Sequence, residues 1–115
     1  MRKRYVFMGL AGLCGSFFAF GVIAQPVGRV TFTIENDGHS DLAALHLSRP
    51  DAESWGNDRL SGAAIVAGDS GVVTLDPGLG GCHYDLRAEF DSGAERRLFR
   101  VDVCRLNGAT LSLAD

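Results

Sequence analysis

Cys82-His83-Tyr84-Asp85-Leu86-Arg87-Ala88-Glu89-Phe90-Asp91 alternates between two kinds of side chain. Cys82, Tyr84, Leu86, Ala88 and Phe90 are apolar, and the residues between them are polar or charged. A period of two is that of a β-strand with one dry face and one wet face; a helix would scatter both sets around its circumference. Ser92-Gly93 then turns the chain, and Phe99, Val101 and Val103 supply the apolar face of a returning strand. A two-residue turn predicts Tyr84 opposite Val101 and Leu86 opposite Phe99 on the dry side, with Asp85 against Arg100 and Glu89 against Arg96 on the wet side. That register points Cys82 and Cys104 to opposite faces. A bulge near Val103, slack at Gly80-Gly81 or a three-residue turn would bring them together, the last at the expense of the charge pairing.

The same vocabulary of short strands and turns extends outward from this hairpin. Val30–Ile34 alternates apolar with threonine and stops at Asn36-Asp37-Gly38. Ala43, Leu45 and Leu47 alternate up to Arg49-Pro50, where proline supplies no ladder donor. Ala63–Ala67, Val72–Leu75 and a last strand with Leu111 and Leu113 are each bounded by glycine, asparagine or proline turns. No segment holds a helical repeat, so a helix is expected only as a single turn within residues 49–62. About seven short strands with no sustained helix predict an all-β fold, a small antiparallel β-sandwich stapled by a disulfide.

The N-terminus sets the compartment. Arg2, Lys3 and Arg4 precede an uncharged apolar run that ends in Val22-Ile23-Ala24, small or aliphatic where a signal peptidase reads. Residues 1–24 are expected to be a signal peptide and 25–115 a single β-sandwich domain. The alternative is an uncleaved anchor, because about 20 apolar residues just span a bilayer; the four glycines within Gly9–Gly21 argue for the leader. Leu13 before Cys14 does not suit a lipoprotein site. Export to the periplasm or beyond leaves Cys82 and Cys104 in an oxidising compartment, where a bond between them is the default.

Removal of 24 residues leaves 91 of the 115, enough for one modest core. Eight arginines and no lysine face fourteen acids in that mature part, a net charge of −6. Such a domain is mismatched to nucleic acid or an anionic membrane surface, so no nucleic-acid partner is expected and the membrane is met only during export. The arginines, interleaved with acids, read as surface ion pairs. A monomer is expected.

Residues 49–62 carry the densest polar cluster and Trp55, the one tryptophan. Asp51, Glu53, Asn57 and Asp58 are oxygen donors of the kind calcium takes from loops, although their spacing matches no calcium motif. Against that stands a structural reading, in which Asp51 and Asp58 cap turns, Gly56 takes a positive φ and Trp55 covers one end of the sandwich. In a third reading, Trp55 is the anchor for a partner. No catalytic site is expected: His39, His46 and His83 are dispersed, no G-x-S-x-G elbow exists, and His46 and His83 read as facing solvent, the latter near Asp102. Gly78-Leu79-Gly80-Gly81 precedes a strand, not the helix a phosphate cradle needs. Cys82 and Cys104 lack the C-x-x-C spacing of a redox dithiol and read as structural.

Phe32-x-Ile34-x-Asn36-Asp37-Gly38, Ser48-x-Pro50, Trp55-Gly56-Asn57-Asp58-x-Leu60, Cys82-x-Tyr84-Asp85-Leu86-Arg87 and Val101-Asp102-Val103-Cys104 together resemble a family of small exported bacterial proteins, over nearly all of residues 30–106. The resemblance implies a small exported domain and no defined activity. Some members carry the label argininosuccinate lyase, which does not describe them, since that enzyme is a much longer helical protein. The expected role is a non-catalytic interaction or accessory module of the cell envelope, without cofactor, acting on an unidentified envelope protein. The alternative is a protein binding calcium or a small polar ligand through residues 49–62.

Overall fold

A computed structural model describes residues 27–115; the expected leader, residues 1–24, lies outside them. Six strands form: β1 (Val30–Asn36), β2 (Leu42–Ser48), β3 (Ser70–Leu75), β4 (His83–Phe90), β5 (Glu95–Asp102) and β6 (Thr110–Leu113). One helical turn, α1 (Val103–Leu106), joins β5 to β6. The strands make two three-stranded sheets, ordered β3-β1-β6 and β2-β4-β5. Their apolar faces share one core: Val30, Phe32, Ile34, Val73, Leu75 and Leu113 come from the first sheet. Leu42, Leu45, Leu47, Tyr84, Leu86, Ala88 and Phe90 come from the second. This is the expected disulfide-stapled sandwich, because each strand alternates and each apolar face needs another to cover it.

Three details depart from the expected layout. The pairing of β1 with β6 is parallel, made possible by α1, which lets the chain re-enter beside β1. The Asn107 side chain accepts from the Thr31 amide at 3.0 Å, and the Gly108 amide donates to Thr31 at 2.8 Å, seating that re-entry. The segment 63–67 is no strand. Ile65 alone exchanges both backbone bonds with Leu42, at 2.9 and 3.0 Å, before Gly68 turns the chain at φ +90°. The helical turn falls at 103–106 and not in 49–62, because the Asp102 carboxylate caps it, accepting from the amides of Cys104 and Arg105.

That cap also settles the cysteine conflict. Cys104 lies in α1 instead of prolonging β5, which brings its Cα to 5.4 Å from that of Cys82, and the disulfide closes. Closing a separation of 22 residues contributes about 3 kcal/mol on the chain-entropy estimate.

The β4–β5 hairpin has a three-residue turn and a bulge, but the bulge lies opposite Asp85 and not near Val103, so the two shifts cancel before Asp102 and it is α1 that brings the cysteines together. Its loop has three residues, Asp91-Ser92-Gly93, closed by Phe90 N–H to Ala94 O at 2.9 Å, with Gly93 at φ +92°. Near the loop the pairs are Leu86–Leu98, Arg87–Arg97, Ala88–Arg96 and Glu89–Glu95. A bulge opposite Asp85 then restores Tyr84–Val101 and His83–Asp102. Leu98 therefore takes the inward place expected of Phe99, and Phe99 is 63% exposed. Leaving a phenylalanine in water forgoes about 2 kcal/mol of burial.

Candidate functional site

The chain from Arg49 to Ala67 runs along the free edge of β2 and closes it. The Arg59 amide donates to Leu45 O at 2.6 Å, and the Leu45 amide donates to Asp58 Oδ1 at 3.0 Å. The same Oδ1 accepts from the Leu60 amide at 2.9 Å, and Oδ2 accepts from the Gly62 amide at 3.1 Å. Asp58 thus satisfies three donors, one on the strand and two in the turn that covers it. Burial raises its pKa, but the amides of Leu45, Leu60 and Gly62, with a smaller contribution from His46, outweigh that and hold it below the usual carboxylate value. The turn-capping role expected for Asp58 is what the structure shows. Asp51, Glu53 and Asn57 are exposed.

Gly56, at φ +76°, carries the loop onto the outer face of the β2-β4-β5 sheet. Its carbonyl lies 3.1 Å from His46 Nδ1, so His46 is mostly covered and does not stand in solvent as its alternation suggested. Trp55 is half-buried, with the Arg97 guanidinium 5.9 Å from its ring centroid. The tryptophan thus lies over a sheet face, whereas the structural reading of the sequence put it at an end of the sandwich. Arg87 projects on the same face between two acids. It bonds Glu95 and approaches Glu89 to 2.7 Å, while Arg97 reaches Glu95 at 3.2 Å. The hydrogen bond to Arg87 is the main cause of the lowered Glu95 pKa. This square of charges offsets the like pairs Arg87–Arg97 and Glu89–Glu95 that the three-residue turn places opposite each other. Beside it is an open depression of about 290 Å³ lined by Arg87, Glu89, Phe90, Gly93, Ala94 and Glu95.

Phe99 belongs to this face. Arg97 points outward and Leu98 inward, so Phe99 points outward again, opposite Asp85 at the bulge. Arg100 follows at φ +55°, held there by its amide donating to Asp85 Oδ1 at 2.9 Å. A non-glycine residue in that region carries about 1–3 kcal/mol of strain. Arg97 and Phe99 of β5 thus share an outer face with Trp55 of the 49–62 loop, and Arg100 is exposed next to them. Sequence reasoning singled out Trp55 alone, because the phase of β5 depends on loop length.

The remaining sequence candidates have structural partners. The Arg49 guanidinium lies 4.3 Å from the Tyr84 ring centroid and donates to the carbonyls of Gly81, at 2.8 Å, and Pro77. The glycine-rich turn therefore presents carbonyls to a cation, the opposite of a phosphate cradle, and a side chain at Gly80 would collide with Arg49. His83 is exposed opposite Asp102, as expected. His39 sits in the β1–β2 connection, where its amide donates to Asp115 Oδ1 at 2.7 Å. Asp115 Oδ2 also accepts from Ser40 and Ser92, tying that connection to the β4–β5 loop; the Ser40 bond is the largest cause of its depressed pKa. Among the described residues one trio of potential metal donors lies within 4.8 Å, Cys82, Asp102 and Cys104, and its sulfurs are bonded to each other. Asp51, Glu53 and Asp58 form no such group.

The disulfide is compatible with an oxidising, exported location, and no helix among the described residues is long and apolar enough to cross a membrane. Comparison with protein-family models, curated proteins and solved structures finds no match.

Proposed function

We propose that the chain is an exported, non-catalytic interaction module of the cell envelope, cleaved after Ala24 and working in the periplasm or outside the cell. The resemblance to small exported proteins belongs to the same reading. The observation that carries it is the outer face of the second sheet. Arg97 lies over Trp55 there and Phe99 is exposed two residues further along β5, residue types favoured at interface centres, on a scaffold stapled by Cys82–Cys104. Three of the acids are engaged in holding the fold: Asp58 on three amides, Asp102 on α1, Asp115 on two loops.

Chemical cross-linking in intact cells followed by purification of the oxidised protein tests this. Recovery of a defined envelope protein, lost on competition with excess unlabelled domain, is the expected result. Recovery of the mature chain only as a free species would refute it. The alternative, calcium or a small polar ligand on residues 49–62, has Asp51, Glu53 and Asn57 exposed but Asp58 already committed. An unchanged melting temperature in millimolar calcium is the expected result.

A further inference from the structure

Strand β5 is the edge of its sheet: β4 pairs with it on one side, and among the described residues no strand pairs on the other. Along Glu95–Asp102 the chain places Arg96, Arg97 and Arg100 against Glu95 and Asp102, in a domain whose mature part has net charge −6. Arg97 is shared between Glu95 and the Trp55 ring, and among the described residues Arg100 has no ion-pair partner. Between them Phe99 is exposed on the outer face, and the bulge puts Arg100 in a left-handed conformation.

We propose that this edge, Arg97-Leu98-Phe99-Arg100 with Trp55 beside it, docks an extended acidic segment of a partner protein, apolar side chains against Phe99 and Trp55 and carboxylates on Arg97 and Arg100. The proposal rests on the interaction-module reading and names its surface and partner chemistry. Charge complementarity decides the occupant. Edge arginines and a bulge are devices that deter a strand from pairing with its own kind, and a second copy centred on Leu98 and Phe99 would set Arg97 against Arg100. A third choice, nucleic acid, meets the surrounding acids. An extended peptide with two carboxylates, unlike a polyanion, engages Arg97 and Arg100 without running along the surrounding acids, and its outward positions, two residues apart, can hold both the carboxylates and an apolar side chain on the face that carries Arg97, Phe99 and Trp55.

Fluorescence anisotropy with three labelled probes, peptides in which every second residue is serine and the positions between alternate valine with glutamate, lysine or serine, tests the idea on the oxidised mature protein. The expected result is binding of the valine–glutamate peptide alone, weakened at least tenfold by Phe99→Ser and by Arg97→Ala, and weakened again by added salt. Both variants alter exposed side chains, and an unchanged melting temperature verifies that they remain folded. Equal binding of the three peptides, no binding of the glutamate peptide, or binding indifferent to Phe99→Ser would overturn the proposal. Sedimentation showing a dimer that Phe99→Ser dissolves would overturn it in favour of a second copy. If the cross-linked envelope partner persists with Phe99→Ser, this surface is wrong while the interaction-module reading stands; if the wild-type protein has no partner, that reading fails first.

Discussion

Replacing Asp58 by alanine separates the structural reading of residues 49–62 from the ligand reading. The side chain accepts three amide hydrogen bonds, from Leu45, Leu60 and Gly62. Bonds to a charged acceptor contribute about 1.5–3 kcal/mol each when buried. Asp58 is only partly covered, and the Gly62 amide can turn to water, so the low end applies to two bonds and little to the third. Asp58→Ala should therefore destabilise by about 3 kcal/mol, against a total of about 5–15 kcal/mol for such a domain. Urea unfolding followed by tryptophan fluorescence reads this directly, and a thermal melt should fall by about 10–25 °C at this chain length. Asp58→Asn keeps the Oδ1 equivalent for Leu45 and Leu60 but sets an amide donor against the Gly62 N–H, so it should lose about 1–2 kcal/mol. The folded pKa is below the unfolded value of about 3.9, so the stabilisation is complete above about pH 5 and disappears as pH falls through and below about 4. The difference between wild type and Asp58→Ala should close over that range. A loss under about 0.5 kcal/mol at pH 7, or a wild-type melt that rises with calcium while that of Asp58→Ala does not, would refute the reasoning and restore a ligand role.

Serine at both Cys82 and Cys104 should lower stability by about 3 kcal/mol, read by urea unfolding, and mass analysis of the unreduced wild type should show no free thiol. Asn36 is wholly buried, donates to Ser40 O at 3.0 Å and Ile65 O at 2.8 Å, and accepts from the Gly38 amide; Asn36→Ala should cost about 2–4 kcal/mol, and amide exchange should accelerate first at residues 38–42 and 65. Trp55→Ala should cost about 1–2 kcal/mol, the value for a half-covered ring with one cation contact and not that of a core tryptophan. Native emission should accordingly lie between the buried and solvated extremes; a fully blue-shifted spectrum would contradict the observed exposure.

The parts of the fold legible in the sequence are those set by period two. Tyr84, Leu86, Ala88 and Phe90 are inward as their alternation requires, and the disulfide joins the two cysteines that lie outside the expected leader. Polar residues that act through geometry were not legible. Asn36 reads as turn punctuation, yet it points inward and links three segments, because strand β1 continues two residues further than its apolar pattern. Asp102 reads as a wet-face strand residue, and only its two amide contacts reveal a helix cap. Asp58 reads both as a ligand and as a cap, and nothing local to 49–62 chooses between them, since the decisive donor, the Leu45 amide, lies in β2.

Phe99 shows most sharply why the candidate surface was hidden. Its face is determined by one residue in the Asp91-Ser92-Gly93 loop. With two loop residues Phe99 would oppose Leu86 in the core; with three, Leu98 does, and every outward position of β5 near the loop changes hands. Nothing in β5 itself records that choice, because Leu98 and Phe99 are adjacent and both apolar. The bulge at Asp85 then confines the shift to the stretch before Val101, so the core keeps Val101 and Val103. A hairpin with a two-residue loop would have paired Glu89 with Arg96 and buried the phenylalanine, gaining on both counts. The chain instead leaves an aromatic side chain outside beside Arg97 and a strained Arg100, and the proposed partner contact would supply the compensation that its own fold does not provide.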